Sequence, residues 1–442
     1  MDCCGFLGRP QENVPPIFLA LMSNFVIAEM KKVLFITPFL PYPLSSGGHQ
    51  AIFNGISAVK DDIEAYLTYI EYSPMEEERK ALGEALGDKI RILPFENHIN
   101  VGREKTLNLI YKAKYNIKRL LSGKKEEKSS DEKVFIQWLD QIMPKRRGFL
   151  EHINKIIEEY KIDIVQCEML ESAAIVLALP ESVKKIFVEH EIGFVRKSLH
   201  PILSDRTALE AQSHLAINQA IEVYLLNKYD CVITLSETDR EKLQDAGVTT
   251  GIHTSFAIVN TLYTDSLFNS NGKTLSFIGP EWHPSNKQGI LWFLDNCWED
   301  LKEKDAEYKL NIIGKWTSET QKDITSKFDS VHFLGYVDNL SKALENTIMI
   351  VPITIGSGIR MKILDACAVG IPVVTTSIGV EGLPLKNGED CFISDTPEGF
   401  TGSIIKLCDS PLCNQFVMNS RTVIQEHYSI DALHDNRIVL YQ

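Results

Sequence analysis

The sequence predicts an α/β protein made of two domains, each with a parallel sheet covered by helices. Short apolar runs alternate with longer amphipathic stretches along most of the chain, which is the pattern of strands joined by crossover helices. The alternation forms two series, one starting near Lys31 and the other near Lys273, with a polar stretch between Asp265 and Gly272. With 442 residues, the chain is long enough for two or three domains.

The first series begins with an apolar strand at residues 33–37, followed by a loop rich in proline, glycine and serine and by a helix from about Gln50. Its further strands are predicted at residues 63–69, 90–94, 162–166, 185–189 and 231–235. The strands of the second series are predicted at residues 275–278, 309–313, 331–334, 348–352 and 372–376. A final helix is predicted within residues 429–442.

These elements divide the chain into an N-terminal extension (1–29), an N-terminal domain (30–268), a C-terminal domain (269–425) and a C-terminal helix (426–442). The extension contains an apolar stretch at residues 16–28, which is shorter than the roughly 20 residues needed to span a bilayer. No basic leader precedes it, so a secretory signal is not expected. Two interpretations remain: a segment upstream of a true start at Met30, or a short helix lying on a membrane surface.

The composition excludes several classes of function. A net charge of −13 argues against general nucleic-acid binding. The nine cysteines are scattered without CxxC spacing, which is typical of reduced thiols in a cytoplasmic protein. The histidines lack paired ligand spacing, so no metal site is expected.

Residues 103–147 form a basic segment within this acidic chain. They hold 13 Lys and Arg residues against 6 Asp and Glu residues. Apolar positions such as Leu107, Ile110 and Leu121 interleave with the charges, which predicts a basic amphipathic helix. One interpretation is peripheral attachment to anionic lipid at the inner face of the membrane. The alternative is a solvated helix packed on its own domain.

The most informative stretch runs from Gly356 to Thr376 and predicts a glycine-bearing loop, a helix and a short buried strand. Gly356 and Gly358 let the backbone approach an anion closely, and Arg360 and Lys362 add positive charge near the helix start. A helix N-terminus with available N–H groups binds phosphate. Asp365, further along the helix, is a carboxylate suited to sugar hydroxyls. Together these residues predict a site for a nucleotide diphosphate.

The same stretch closely resembles the donor half of glycosyltransferase family 4, whose pattern is roughly G-S-G-x-R-x-K-I-L-E-A-M-A-x-G-x-P-V-V-x-T. The resemblance implies a GT-B fold, with two Rossmann-like domains facing across a cleft. It implies transfer of a sugar from a nucleotide-sugar, bound by the C-terminal domain, to an acceptor bound by the N-terminal domain, with retention at the anomeric carbon. The nucleotide-sugar is then a substrate and no cofactor is expected. It also implies that the last helix packs on the N-terminal domain.

The resemblance extends to loops that follow other predicted strands. It implies catalytic roles for His190, Arg360 and Lys362. Positions implied to bind the donor are Gly47, Gly48, Gly279, Lys287, Lys315, Gly356, Ser357, Gly358, Ile359 and Asp365. Gly-Gly turns and a histidine after a strand are weak signals by themselves, because they also serve structural purposes.

The chain departs from the common pattern at two positions. Many relatives carry two glutamates eight positions apart, where this chain has Ser357 and Asp365. The expected function is a retaining glycosyltransferase acting on a glycan or lipid-linked acceptor in surface or extracellular polysaccharide synthesis. The alternatives are a non-catalytic GT-B scaffold or binding subunit, and a nucleotide-sugar epimerase of the same fold.

Overall fold

A computed structural model gives the architecture of most of the chain. It describes residues 30–44, 46–96, 148–198, 207–256, 258, 272–356, 358–408 and 410–442. The N-terminal extension, the basic segment at 103–147 and Ser357 lie outside the described residues.

The strands of the first half are mostly short apolar runs, as predicted. They are β1 (Lys32–Ile36), β2 (Glu64–Thr68), β3 (Ile70–Glu71), β4 (Ile90–Ile92), β5 (Phe95–Glu96), β6 (Ile164–Glu168), β7 (Lys184–Glu189), β8 (Cys231–Thr234) and β9 (Ile252–Thr254). Within the described ranges, seven of them form one parallel sheet in the order β4-β2-β1-β6-β7-β8-β9. The central strands are buried on both faces, which explains their apolar composition.

The predicted strand at 162–166 is displaced by two residues in the structure. β6 spans Ile164–Glu168 and is buried along its whole length, with Phe35 of β1 and Ile186 of β7 flanking Gln166. The apolar pattern that predicts the strand does not reach its end, because β6 finishes at the charged residue Glu168.

Helices cover both faces of the first sheet. They are α1 (Gly47–Val59), α2 (Glu76–Ala85), α3 (Phe149–Tyr160), a 3-10 helix (Leu170–Ala178), α4 (Gly193–Ser198), α5 (Ala208–Leu226) and α6 (Glu237–Asp245). Their starts carry the expected caps: Ser46 and Ser236 cap α1 and α6, and Thr207 with Glu210 forms a capping box at α5.

The second half repeats the arrangement. Its strands are β10 (Thr274–Ile278), β11 (Lys309–Ile313), β12 (Val331–Gly335), β13 (Ile348–Val351), β14 (Val373–Thr375) and β15 (Phe392–Ile393). In the described part of the chain they form a parallel six-stranded sheet, ordered β12-β11-β10-β13-β14-β15. The two-residue strand β15 is too short to be predicted from periodicity.

The helices of the second half also flank their sheet. They are α7 (Pro284–Phe293) with a π-turn (Leu294–Trp298), α8 (Glu299–Lys304), α9 (Ser318–Lys327), α10 (Leu340–Leu344), α11 (Met361–Val369), α12 (Pro397–Lys406), α13 (Ser410–His427) and α14 (Ile430–Ile438). Trp298, Phe293 and Phe400 pack together at the centre of the second core.

The last helix, α14, leaves the second half and packs on α1 of the first. Arg437 is buried there and its Nε donates to Ser255 Oγ at 3.0 Å. Lys184 Nζ donates to the Leu440 carbonyl at 2.6 Å, and Tyr441 packs edge-on against Phe35. Each half thus has its own sheet and core, and the chain's last elements return to the first.

Candidate active site

The N-termini of two helices, one from each half, meet at the centre of the molecule. Helix α1 begins at Gly47 and helix α11 begins at Met361. A methyl group in place of the Gly47 hydrogen would lie 3.0 Å from Met361 Cγ, so the two helix starts are in contact. Because a helix N-terminus carries partial positive charge and outward N–H groups, two of them together form an anion-binding surface.

The glycine loop before α11 lies directly on the first half of the chain. Gly358 has a positive φ of +79°, and a methyl group there would lie 3.1 Å from the His190 carbonyl oxygen and 3.7 Å from Glu191 Cβ. Ile359, the next residue, packs against the cores of both halves. The loop therefore forms one wall of an interdomain site whose other wall is the segment after β7.

The Arg360 side chain contacts the backbone of this loop. Its Nη1 donates to the Gly358 carbonyl at 2.5 Å, and a methyl group at Gly356 would lie 3.0 Å from its Nη2. Burial lowers the pKa of Arg360, and the nearby carboxylates of Glu191, Glu381 and Asp239 oppose that shift. The N-cap residue of α11 is Arg360, and no side chain among the described residues caps this helix. The buried Arg360 guanidinium thus lies beside the N-terminus of α11. The positive charge of the first and the N–H groups of the second both favour an anionic group at this place.

His190 lies at the carboxyl end of β7, with its side chain largely buried. Its Nε2 is 2.7 Å from Glu168 Oε2, at the end of the neighbouring strand β6. In parallel sheets, ligands bind beyond the carboxyl ends of strands, and both residues stand at that edge.

Lys362 is oriented by residues of α7 and β10. Its Nζ donates to Asn286 Oδ1 at 2.6 Å and lies 4.2 Å from the centre of the Phe277 ring. Burial and the charge of Arg360 hold the pKa of Lys362 well below its usual range, while Asp365, itself buried on α11, opposes the shift. A methyl group at Gly279 would overlap Asn286 at 2.5 Å, so this position requires glycine.

Lys287 and Lys315 are both held through Glu281. Lys287 Nζ pairs with Glu281 Oε1 at 2.7 Å, and the Glu281 amide donates to the Lys315 carbonyl at 3.0 Å. Although burial opposes ionisation, hydrogen bonds from Lys287, Thr320 and Thr317 lower the pKa of Glu281 to about 2. The Lys287 ammonium is therefore engaged by a carboxylate of its own domain.

The structure brings several of the predicted positions to the interface between the two halves. Five of them lie where the two halves meet: Gly47, Gly358, Ile359, Arg360 and His190. Gly356 lies beside Arg360 and Ser285 of the second half. Gly279 and Lys362 both contact Asn286, and Asp365 lies on α11 with Lys362. Lys287 and Lys315 instead bind Glu281. Gly48 lies against Met169, since a methyl group there would be 2.5 Å from Met169 Cε.

Sequence reasoning missed Glu168 and Met169. Met169 follows β6 with a φ of +66°, a strained conformation for a residue with a side chain. Glu168 binds His190 but is separated from it by 22 residues. The available signal was the pair of polar residues, Gln166 and Glu168, at alternating positions of an otherwise apolar strand.

The described residues contain no group of three or more His, Cys, Asp or Glu side chains placed to hold a metal ion. No helix among them combines the length and the apolar composition required to cross a membrane.

Comparison with known proteins gives a family match and a relative for parts of this chain. Residues 272–410 match the family model described as glycosyl transferases group 1. A protein of Klebsiella pneumoniae, described as an uncharacterized 44.6 kDa protein in the cps region, is 28% identical over 170 residues. That match covers 36% of this chain and 44% of the relative, which is less than half of the relative's length.

Solved structures show the same fold over nearly the whole chain. TarM of S. aureus is 14% identical with a TM-score of 0.66, covering 95% of this chain and 100% of TarM. Sucrose-phosphate synthase from Thermosynechococcus elongatus is 12% identical with a TM-score of 0.67, covering 93% and 98% of the two chains. HepE from Anabaena, crystallised with UDP, is 12% identical with a TM-score of 0.61, covering 92% and 99%.

These matches confirm the predicted α/β fold of the GT-B type. They also confirm the resemblance at the level of group 1, while placement in glycosyltransferase family 4 stays a prediction. Residues 272–410 are thus similar to the group 1 glycosyl transferases, within a chain that shares the fold of these solved structures.

Proposed function

We propose that this protein transfers a sugar from a nucleotide-sugar to a glycan or lipid-linked acceptor, with retention at the anomeric carbon. The observation that carries the proposal is the contact of the Gly358 loop with His190, beside the paired N-termini of α1 and α11. These features support an anion site between the two halves, next to a histidine at a strand end.

In this proposal the bond between the anomeric carbon and the diphosphate breaks while the acceptor hydroxyl attacks from the same face. The departing phosphate accepts the hydroxyl proton. Loop and helix amides, with Arg360 and Lys362, stabilise the charge that develops on the diphosphate. His190 contacts the donor sugar near the reacting carbon. Contact between the domains excludes water that would hydrolyse the donor. No metal or other cofactor is required.

The comparisons support a choice of donor and pathway to test first. HepE was crystallised with UDP and, in another crystal, with UDP-glucose. The Klebsiella relative lies in a cps region, which supports a role in surface polysaccharide synthesis. We therefore propose a uridine diphosphate sugar as the first donor to test. We propose a cytoplasmic location, with membrane contact through residues 103–147.

A thermal-shift screen tests the donor site. The protein is heated with UDP, GDP, ADP, CMP or dTDP and with the corresponding sugars. At roughly 100 times its dissociation constant, a ligand stabilises the fold by about 2.7 kcal/mol, which raises the melting temperature by several degrees. We expect one nucleotide to give this shift and Arg360→Ala to abolish it.

Lys327→Ala is the matched control, because Lys327 pairs with Asp323 on the exposed face of α9. A shift that survives Arg360→Ala contradicts the site assignment. Product analysis then separates the three candidate activities. A glycosylated acceptor supports a transferase and an epimerised nucleotide-sugar supports the epimerase. Binding without turnover supports the scaffold.

A further inference from the structure

Two polar side chains are buried on the central strand of the first sheet. Strand β6 lies between β1 and β7, and Gln166 and Glu168 are 0% and 1% exposed. Residues two apart in a strand share a face, so the two side chains are neighbours. Buried polar groups cost free energy unless they are hydrogen-bonded. Their partners therefore indicate why they are there.

The partners form a continuous series of hydrogen bonds that ends at His190. The Tyr441 hydroxyl donates to Gln166 Oε1 at 2.6 Å. Gln166 Nε2 donates to Glu168 Oε1 at 2.6 Å. Glu168 Oε2 lies 2.7 Å from His190 Nε2. The series connects the segment after α14 to the interdomain site through the interior of the sheet.

The chemistry of the groups determines which atom donates and which accepts in each hydrogen bond of the series. Burial raises the pKa of Tyr441 to about 12, so its hydroxyl keeps its proton at neutral pH and donates. This donation orients the Gln166 amide with Oε1 towards Tyr441 and Nε2 towards Glu168. Glu168 then accepts one hydrogen bond on each oxygen, as a carboxylate does. His190 must donate from Nε2, so that in the tautomer with a single N–H the acceptor is Nδ1.

We propose that Tyr441, Gln166 and Glu168 are positioning residues that set the tautomer and the orientation of His190. The kinetic consequence rests on the function proposed above, because it assumes that His190 contacts the donor sugar. Both ends of the series are also held by contacts to the backbone. The His190 carbonyl contacts Gly358, and Lys184 Nζ donates to the Leu440 carbonyl next to Tyr441. The segment after α14 is then part of the support of the active site.

Tyr441→Phe tests the far end of the series without touching the site. The ring keeps its packing against Phe35 and only the hydroxyl is lost. Gln166 loses the bond that orients its amide, so we expect kcat to fall about three- to tenfold, the effect of one hydrogen bond. The donor KM should change by less than about twofold, because none of these three side chains is assigned to the donor.

Tyr229→Phe is the matched control. Tyr229 is also buried in the first half, and its hydroxyl donates to the Ala173 carbonyl at 2.8 Å, outside the series. Equal kcat values for Tyr441→Phe and Tyr229→Phe would overturn the proposal, even if both variants lose stability.

The tautomer of His190 is measured directly by ¹⁵N NMR of histidine-labelled protein, with His190→Asn to assign its signals. We expect the Nε2–H form in the wild type and a mixture of tautomers in Tyr441→Phe and in Glu168→Gln. Glu168→Gln should lower kcat at least about tenfold, because its amide can donate as well as accept. An unchanged His190 spectrum in Tyr441→Phe would overturn the proposal. If the wild type transfers no sugar, the proposed function fails, while these spectra still decide whether the series sets the tautomer.

Discussion

At the scale of single residues, Gly358 is constrained both by its backbone conformation and by its contact with His190. Its φ of +79° disfavours any residue with a side chain, and its α-carbon lies against the His190 carbonyl. Gly388 has the same φ of +79°, but a methyl group there would have no neighbour within 4 Å. The two glycines therefore share the conformational demand and differ only in the contact across the domains.

Substituting alanine at each position separates these two effects. Gly358→Ala and Gly388→Ala should each destabilise the protein by about 1–2 kcal/mol through backbone strain. We expect only Gly358→Ala to raise the donor KM, by at least about tenfold, because its methyl group pushes the loop away from His190. Urea unfolding measures the strain, and initial rates measure the donor KM. Wild-type kinetics in Gly358→Ala would contradict a role of this contact in the site.

At the scale of elements, α1 packs against α14 where Gly55 contacts Arg437. A methyl group at Gly55 would lie 2.4 Å from Nη1 of the buried Arg437. Gly402, in α12, is also inside a helix, and a methyl group there would meet nothing within 4 Å. The two positions have the same helix propensity and differ only in packing.

Alanine at these positions should change stability in opposite directions. Gly402→Ala should stabilise the protein by about 1 kcal/mol, the difference in helix propensity between glycine and alanine. Gly55→Ala should destabilise it by about 1–3 kcal/mol, because Arg437 is confined and the added methyl group forces a shift. Urea unfolding of both variants measures the difference. Equal stabilisation by both substitutions would show that α14 does not confine α1.

At the scale of the whole molecule, the two halves meet through charge as well as shape. Lys242 Nζ of α6 lies 2.6 Å from Glu381 Oε1, and both side chains are 30% exposed. A methyl group at Gly382 would lie 2.9 Å from Ser236 Cβ, so the backbones also approach closely at this point. A partly exposed ion pair contributes little to the free energy of folding, about 0–1 kcal/mol. This pair nevertheless links a residue of the first half directly to a residue of the second.

Reversing one charge of this pair should therefore open the molecule without unfolding it. Lys242→Glu should increase the radius of gyration in small-angle X-ray scattering and raise the donor KM about three- to tenfold, while stability changes by less than about 1 kcal/mol. The double variant with Glu381→Lys should restore both quantities.

Lys327→Glu creates a similar like-charge pair with Asp323 within one helix and should change neither quantity. An unchanged donor KM in Lys242→Glu would show that the pair does not control how the two halves meet.

The glycine loop before α11 illustrates what could be predicted from the sequence. Gly356, Gly358 and Arg360 stand in a dense motif of neighbouring residues, and the apolar runs that form β10 to β14 are equally local. Such features are readable because backbone conformation and strand burial depend mainly on nearby residues. The engagement of Lys287 by Glu281 was not predicted, although only six residues separate them, because it depends on how the loop after β10 folds.

The amino-acid sequence by itself determined the alternation of strands and helices in two series, the α/β class and the region that resembles a donor site. The tertiary structure alone decided that α1 meets α11, that Gly358 rests on His190 and that Glu168 and Tyr441 connect to that histidine. The physical reason is that these contacts join residues far apart in the chain. Their meeting depends on how the crossover helices order the strands and bring the two sheets together.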